Sequence, residues 1–216
     1  MIHSETIASA QTIADTYDRC SSCYDFFLKP WLEAGRPRAM ELLDVAPHHR
    51  VLEVGVGTGL SFAHYPEGSN VVGVDFSAGM LRQARRRVSA SKAGSQVELM
   101  QSDAQHLPFP DASFDRILAA YVLTVVPDTA LAVRELLRVL RPDGRVVLIN
   151  HLRSENKLLA WLEDVLHPVF SRIGLFTLDR DLLGILSREG AARPELEPTS
   201  IVGLHYIIAF SRSLKA

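Results

Sequence analysis

The sequence has little cysteine, no excess of positive charge and no long apolar run. Its 216 residues include 23 lysines and arginines against 25 aspartates and glutamates, which gives a net charge of -2. A nucleic-acid-binding protein normally carries a strong basic excess, so this balance argues against that class. Asp, Arg or Pro interrupts each apolar run, so none is long enough to span a bilayer.

The two cysteines, Cys20 and Cys23, form a single C-x-x-C pair. Without a second pair or a histidine partner, this spacing is weak evidence for zinc or for a redox site. We interpret both as free thiols of a cytosolic protein, and we predict no metal site. The N-terminus lacks a basic segment followed by an apolar one, so no signal peptide is predicted.

Short apolar strands alternate with helical patterns along most of the chain. This alternation predicts one α/β domain with a doubly wound, mostly parallel sheet. Ser77 and Asp128 are candidate helix N-caps. Strands are predicted over 50–54, 71–74, 97–100, 114–120, 145–150, 194–200 and 204–211, with a turn over 141–144. Helices are predicted over 37–43, 60–65, 158–169 and 181–188. Two more are predicted to begin directly after Ser77 and Asp128.

The first 44 residues differ from the remainder, and we expect them to form a helical cover ahead of a main domain over 45–216. Aromatic and apolar residues from Tyr24 to Trp31 recur at helical spacing. They either pack onto the domain or form an amphipathic surface that also touches a membrane. Periodicity alone favours packing, because exposed apolar stripes are the rarer outcome.

The stretch from Val51 to Ser61 organises the chain. Its β-branched residues predict a buried strand, and the glycines that follow predict a tight turn that a ligand can approach closely. Glu53 lies near the end of this strand, where open α/β sheets bind ligands. The third glycine comes one place earlier than in the dinucleotide pattern G-x-G-x-x-G, and position 60 is Leu. This spacing disfavours an NAD-dependent dehydrogenase.

Acidic residues follow the next two strands. Asp75 ends the second strand, where a carboxylate can accept hydrogen bonds from both hydroxyls of a ribose. Asp103 and Ala104 end the third, where a short acidic side chain can meet the amine of adenine. Acids without a phosphate-binding Lys or Arg suit a sulfonium amino acid better than a pyrophosphate.

Together these motifs resemble those of class I S-adenosylmethionine-dependent methyltransferases, over residues 45–151. The resemblance implies a Rossmann-like, seven-stranded sheet with an antiparallel last strand, and S-adenosyl-L-methionine as the cofactor. It implies that the cofactor-binding residues are Glu53, Gly55, Gly57, Gly59, Asp75, Phe76, Met80, Asp103, Ala104 and Tyr121.

A narrower resemblance rests on several segments together, which are similar to bacterial phospholipid N-methyltransferases. They are 17–25, 51–61, 121–127 and Asn150-His151, with 174–178 as a weaker addition. It implies methylation of phosphatidylethanolamine toward phosphatidylcholine at the inner face of the membrane. The expected partners are a phospholipid substrate and an anionic membrane surface, with no nucleic acid and no second copy of the chain. The alternatives are a methyltransferase of a quinone precursor or soluble small molecule, and a non-catalytic binding module.

Methyl transfer to an amine needs alignment, exclusion of water and loss of a proton from the ammonium form. The candidates for handling that proton are Tyr17, Tyr24 and His151. The two tyrosines are equally well explained as core aromatics, whereas the strand-end position of His151 favours function. His106 and His205 are interpreted as surface or packing residues, although His205 could line the pocket.

Overall fold

The computed structural model describes residues 33, 35–90, 96–152, 181–199 and 205–212. Within these residues seven strands form one sheet. They are β1 (Arg50–Val54), β2 (Asn70–Asp75), β3 (Val97–Gln101), β4 (Phe114–Ala120), β5 (Leu140–His151), β6 (Ala191–Pro198) and β7 (His205–Arg212). Their spatial order is β3-β2-β1-β4-β5-β7-β6.

The direction of the strands confirms the predicted sheet. Neighbouring strands from β3 to β5 run parallel, whereas β7 runs antiparallel to both β5 and β6. A parallel neighbour requires a crossover connection, which explains why helical segments alternate with strands in the sequence. The fold is therefore the Rossmann-like α/β sheet that the sequence predicted.

Helices cover both faces of the sheet. The described α-helices are α1 (Arg36–Leu43), α2 (Ala78–Ala90), α3 (Thr129–Val139) and α4 (Leu182–Glu189). The hydroxyl of Ser77 accepts a hydrogen bond from the Met80 amide at 3.0 Å, and the Asp128 carboxylate accepts one from the Leu131 amide at 2.9 Å. Both predicted N-caps are thereby confirmed.

The core has two layers, one on each side of the sheet. Along β5, Leu148 packs with α3 and α4, whereas Ile149 packs with α1 and α2. Successive side chains of a strand point to opposite faces, and here both faces are buried. This double burial is why the strands read as continuous apolar runs rather than as alternating patterns.

Several predicted boundaries differ from the structure. The segment predicted as a helix over 60–65 is a 3₁₀ helix, Leu60–His64. The strand predicted over 145–150 begins earlier, at Leu140. Its pairing with β4 passes directly from Leu140 to Arg145, so the residues of the predicted turn, 141–144, are not paired with β4. β6 and β7 are also displaced by one to three residues from the predicted ranges.

Parts of the prediction fall outside the described residues. These are the helical cover before Glu33, including Tyr17 and Tyr24, and the helical stripe over 158–169. Among the described helices, none has the length and apolarity needed to cross a bilayer.

Candidate active site

An open cleft lies at the carboxyl ends of the central strands. From β1 the chain adds β2 and β3 on one side of the sheet and then β4 and β5 on the other. The cleft lies at this change of direction, which is where open α/β sheets usually bind ligands. The cleft brings together eight of the ten residues predicted to bind the cofactor. They are Gly55, Gly57, Asp75, Phe76, Met80, Asp103, Ala104 and Tyr121.

The glycine loop forms one wall of the cleft. Gly55 and Gly57 have φ angles of +67° and +55°, in the region that favours glycine. A Cβ atom on Gly55 would lie 2.0 Å from Cγ2 of Val122, whereas one on Gly57 would have no atom within 4 Å. Gly55 is therefore required by packing, and Gly57 leaves space for a ligand.

Asp75 is held at the end of β2 by two backbone amides. Its Oδ2 accepts a hydrogen bond from the Gly57 amide and its Oδ1 accepts one from the Ser77 amide, each at 2.8 Å. The carboxylate is thus fixed between the glycine loop and the start of α2.

Asp103 belongs to a second fixed group of side chains. Its Oδ1 accepts hydrogen bonds from the backbone amide of Gln105 at 2.8 Å and from the side-chain Nε2 of Gln105 at 3.1 Å. Oε1 of Gln105 accepts a hydrogen bond from the Asp128 amide at 2.9 Å. Gln105, which sequence reasoning missed, therefore ties the loop after β3 to the N-cap of α3.

Two predicted cofactor residues are not among those that line the cleft. Gly59 packs behind it, where a Cβ atom would lie 2.5 Å from the Phe62 ring and 3.4 Å from Cα of Ala84. Glu53 lies beneath the loop with 1% of its surface exposed, and the hydroxyls of Ser61 and Tyr65 are close enough to its carboxylate to act on its pKa. Burial raises the pKa of Glu53 to about 7, and the positive charge of Arg36 acts in the opposite direction.

Arg36 is a functional candidate that sequence reasoning missed. It is the first residue of α1, lines the cleft, and is only 6% exposed. Its Nη1 donates a hydrogen bond to the hydroxyl of Ser61, whereas its Nε has no partner in the described residues. A single arginine at the start of a helix belongs to no recognisable sequence motif. Only the folded structure shows that Arg36 lines the same cleft as the glycine loop.

Tyr121 lines the cleft, whereas the predicted catalytic residue His151 is not among the residues that line it. Tyr121 has a φ of +62°, an uncommon conformation for a residue other than glycine, and its amide donates to the Ile149 carbonyl at 2.6 Å. His151 is 9% exposed, and burial lowers its pKa to about 4. His106 is on the surface, as predicted, with 75% of its side chain exposed.

Several known proteins are similar to this chain in sequence. A family profile described as a methyltransferase domain matches residues 52–148. A phosphatidylethanolamine N-methyltransferase of Cereibacter sphaeroides is 36% identical over 197 residues, which cover 88% of this chain and 92% of that protein. A demethylmenaquinone methyltransferase of Thermobifida fusca is 34% identical over 206 residues, 90% of this chain and 85% of that protein.

A solved structure shows the same fold. Geranyl diphosphate C-methyltransferase of Streptomyces coelicolor, in complex with S-adenosyl-L-homocysteine, superimposes with a TM-score of 0.66 at 19% identity. The match covers 83% of this chain and 77% of that one.

Proposed function

The chain belongs to the S-adenosylmethionine-dependent methyltransferases, and we propose that it methylates the amine of phosphatidylethanolamine at a membrane surface. The observation that carries the proposal is the similarity to a phosphatidylethanolamine N-methyltransferase along nearly the whole of both chains. The glycine loop leaves space for a ligand, and Asp75 and Asp103 are each held by hydrogen bonds. These features support an enzyme that binds the cofactor over a non-catalytic binding module.

The residues of the cleft fit S-adenosyl-L-methionine. Asp75 would hold the ribose and Asp103 the adenine amine, while Gly57 leaves room for close approach of the ligand. The cofactor also carries a carboxylate and an ammonium group. The Arg36 cation lines the cleft and could pair with the carboxylate. Glu53, buried beneath the glycine loop and close enough to Arg36 for their charges to interact, adds negative charge near the ammonium group.

When bound, the cofactor supplies a methyl group activated by a positively charged sulfur. The chain therefore has to bring the acceptor into line and exclude water. The amine must be neutral to attack, so a group on the acceptor side has to favour its unprotonated form. The sequence offered His151 and the two tyrosines of the cover, Tyr17 and Tyr24, for this task. Of these, the structure describes only His151, at the end of β5.

We further propose that the protein binds peripherally to anionic membrane on its cytoplasmic side, as a monomer. The support comes from the sequence alone: the aromatic stripe from Tyr24 to Trp31 suits an interfacial helix. Co-sedimentation with liposomes containing anionic lipid should decrease in the double variant Phe27→Glu, Trp31→Glu. Equal binding of the variant and the unmodified protein would leave packing as the explanation of the stripe.

The central experiment measures transfer of a labelled methyl group to defined acceptors. Vesicles containing phosphatidylethanolamine should become labelled in the headgroup, whereas vesicles of phosphatidylglycerol should not. The Asp75→Asn variant serves as the control for label transfer that does not depend on the cleft. Absence of headgroup label, with S-adenosyl-L-homocysteine binding demonstrated by calorimetry, would refute the substrate assignment but not the family.

A second candidate is methylation of a quinone precursor. It is favoured by the 34% identity to a demethylmenaquinone methyltransferase over 90% of this chain. The same assay with reduced demethylmenaquinone in vesicles separates the two, because label would appear on a ring carbon rather than on nitrogen. A panel of soluble amines tests the remaining small-molecule alternative.

A further inference from the structure

Three rings from three neighbouring strands form a row beside the cleft. Tyr121 follows β4, His151 ends β5 and His205 begins β7. The centroid of the His205 ring is 5.3 Å from that of Tyr121 and 5.4 Å from that of His151, with interplanar angles of 80° and 72°. Tyr121 also lines the cleft, so one end of the row lies in the cofactor region and His205 is its middle ring.

The sheet fixes the place of His205. It pairs directly with His151 in the antiparallel register of β5 and β7, so the two side chains share one face. Its carbonyl accepts hydrogen bonds from the amide and the hydroxyl of Thr199, at 2.9 and 3.2 Å. Alternation along β7 places it on the face of Ile207, which packs with α1. Arg36, at the start of α1, lines the cleft on this same side.

Exposure and charge distinguish the two histidines. His151 is buried, whereas His205 is partly exposed and is therefore the more accessible imidazole of the pair. Burial, and to a smaller extent the charge of His151, lower the pKa of His205 to about 4. Both rings are accordingly neutral near pH 7. A neutral imidazole has one ring nitrogen that accepts a hydrogen bond.

We propose that His205 contacts the methyl acceptor, and that its neutral ring accepts a hydrogen bond from an N–H of the incoming amine. Tyr121 and His151 hold the ring in position. This inference rests on the proposed methylation of a nitrogen atom, because a carbon acceptor has no N–H to donate. It assigns to His205 the acceptor-facing role that the sequence gave to His151.

The hydrogen bond would help most as the reaction proceeds. A neutral amine that donates one N–H to His205 keeps its lone pair free to attack. As the C–N bond forms and the C–S bond breaks, with its electron pair left on sulfur, the nitrogen becomes positively charged. The N–H then becomes a charged donor, and hydrogen bonds to charged groups are stronger than neutral ones. His205 would thus stabilise the transition state more than the bound substrate.

The test separates ring packing from hydrogen bonding. His205→Phe keeps an aromatic ring between Tyr121 and His151 but removes the accepting nitrogen. With phosphatidylethanolamine vesicles and saturating cofactor, we expect a roughly ten- to hundredfold lower kcat. Binding of S-adenosyl-L-homocysteine, measured by calorimetry, should stay within about twofold, because the cofactor side is unchanged. His48→Phe, in the exposed loop before β1, is the matched control and should retain the full rate.

A purely structural role of His205 predicts that the Phe variant keeps its kcat, and that result would overturn the inference. A second measurement does not depend on any variant folding. The ring nitrogens of His205 in the unmodified protein, followed by NMR, should shift when short-chain phosphatidylethanolamine is added with S-adenosyl-L-homocysteine present. Unchanged ring resonances at saturating lipid would also overturn it.

Failure of the inference can be told apart from failure of the proposed function. If the unmodified protein methylates a quinol and not an amine, the proposed function fails and the inference fails with it. If the unmodified protein methylates the amine and His205→Phe does so equally well, only the assignment of His205 is lost.

Discussion

The buried acid beneath the glycine loop should make stability depend on pH. In the folded protein, burial raises the pKa of Glu53 from 4.5 to about 7. The unfolded chain releases this proton near the ordinary value, so between these two pH values the folded state binds more protons than the unfolded one. Stability should therefore fall as the pH rises through this window. A difference of about 2.5 pH units, at about 1.36 kcal/mol each, corresponds to roughly 3 kcal/mol.

Glu53→Gln removes the ionisation and nearly preserves the shape of the side chain. We expect the free energy of unfolding of the unmodified protein, relative to this variant, to fall by about 3 kcal/mol between about pH 5 and about pH 8. The measurement is urea denaturation without cofactor at several pH values. Comparing the two proteins cancels the contributions of other groups, including the two histidines with lowered pKa values.

Glu67→Gln is the matched control, because Glu67 lies in the exposed turn before β2. Its stability should follow that of the unmodified protein at every pH. A constant difference between Glu53→Gln and the unmodified protein across the whole range would contradict the account, since it would mean that Glu53 ionises normally in the folded state.

Three further predictions concern the same cleft. Asp75→Asn should weaken S-adenosyl-L-methionine binding, measured by calorimetry, by about tenfold or more, because an NH₂ group replaces one of the two oxygens that accept backbone N–H groups. Unchanged affinity would refute the role of Asp75. Gly55→Ala and Gly57→Ala both acquire strain from a positive φ, but only Gly55→Ala also clashes with Val122, so it should destabilise the protein by roughly 1–3 kcal/mol more than Gly57→Ala. Gly57→Ala should in addition reduce cofactor affinity, and equal thermal shifts of the two variants would argue against this division. Arg36→Met should move the pH profile of stability to higher pH, because the Arg36 charge lowers the pKa of Glu53; an unmoved profile would show that the two groups do not interact.

The sequence predicted the features that depend on local signals. Short apolar runs located β1 and β4 correctly. The two N-caps were identified from Ser77 and Asp128 because capping involves residues only three positions apart. The glycine spacing and the acids after β2 and β3 located the cleft. Each of these signals lies within a single strand–turn–helix unit.

The features that the sequence did not predict arise from distant parts of the chain. Arg36 reaches the cleft only because α1 packs on the sheet beside the glycine loop. The contact between His151 and His205 depends on the register of two strands that are more than fifty positions apart in sequence. Gly59 illustrates a third case, in which a motif residue packs against the Phe62 ring and not toward the ligand.

The reversed direction of β7 bears on how the protein can be handled. The parallel strands finish at the cleft, whereas β7 starts there and reaches Arg145 and Ala191 at the opposite edge. Immobilisation through a side chain near Arg212 would consequently leave the cleft facing solution. Insertions just before His205 would instead alter the wall on which the acceptor is expected to rest.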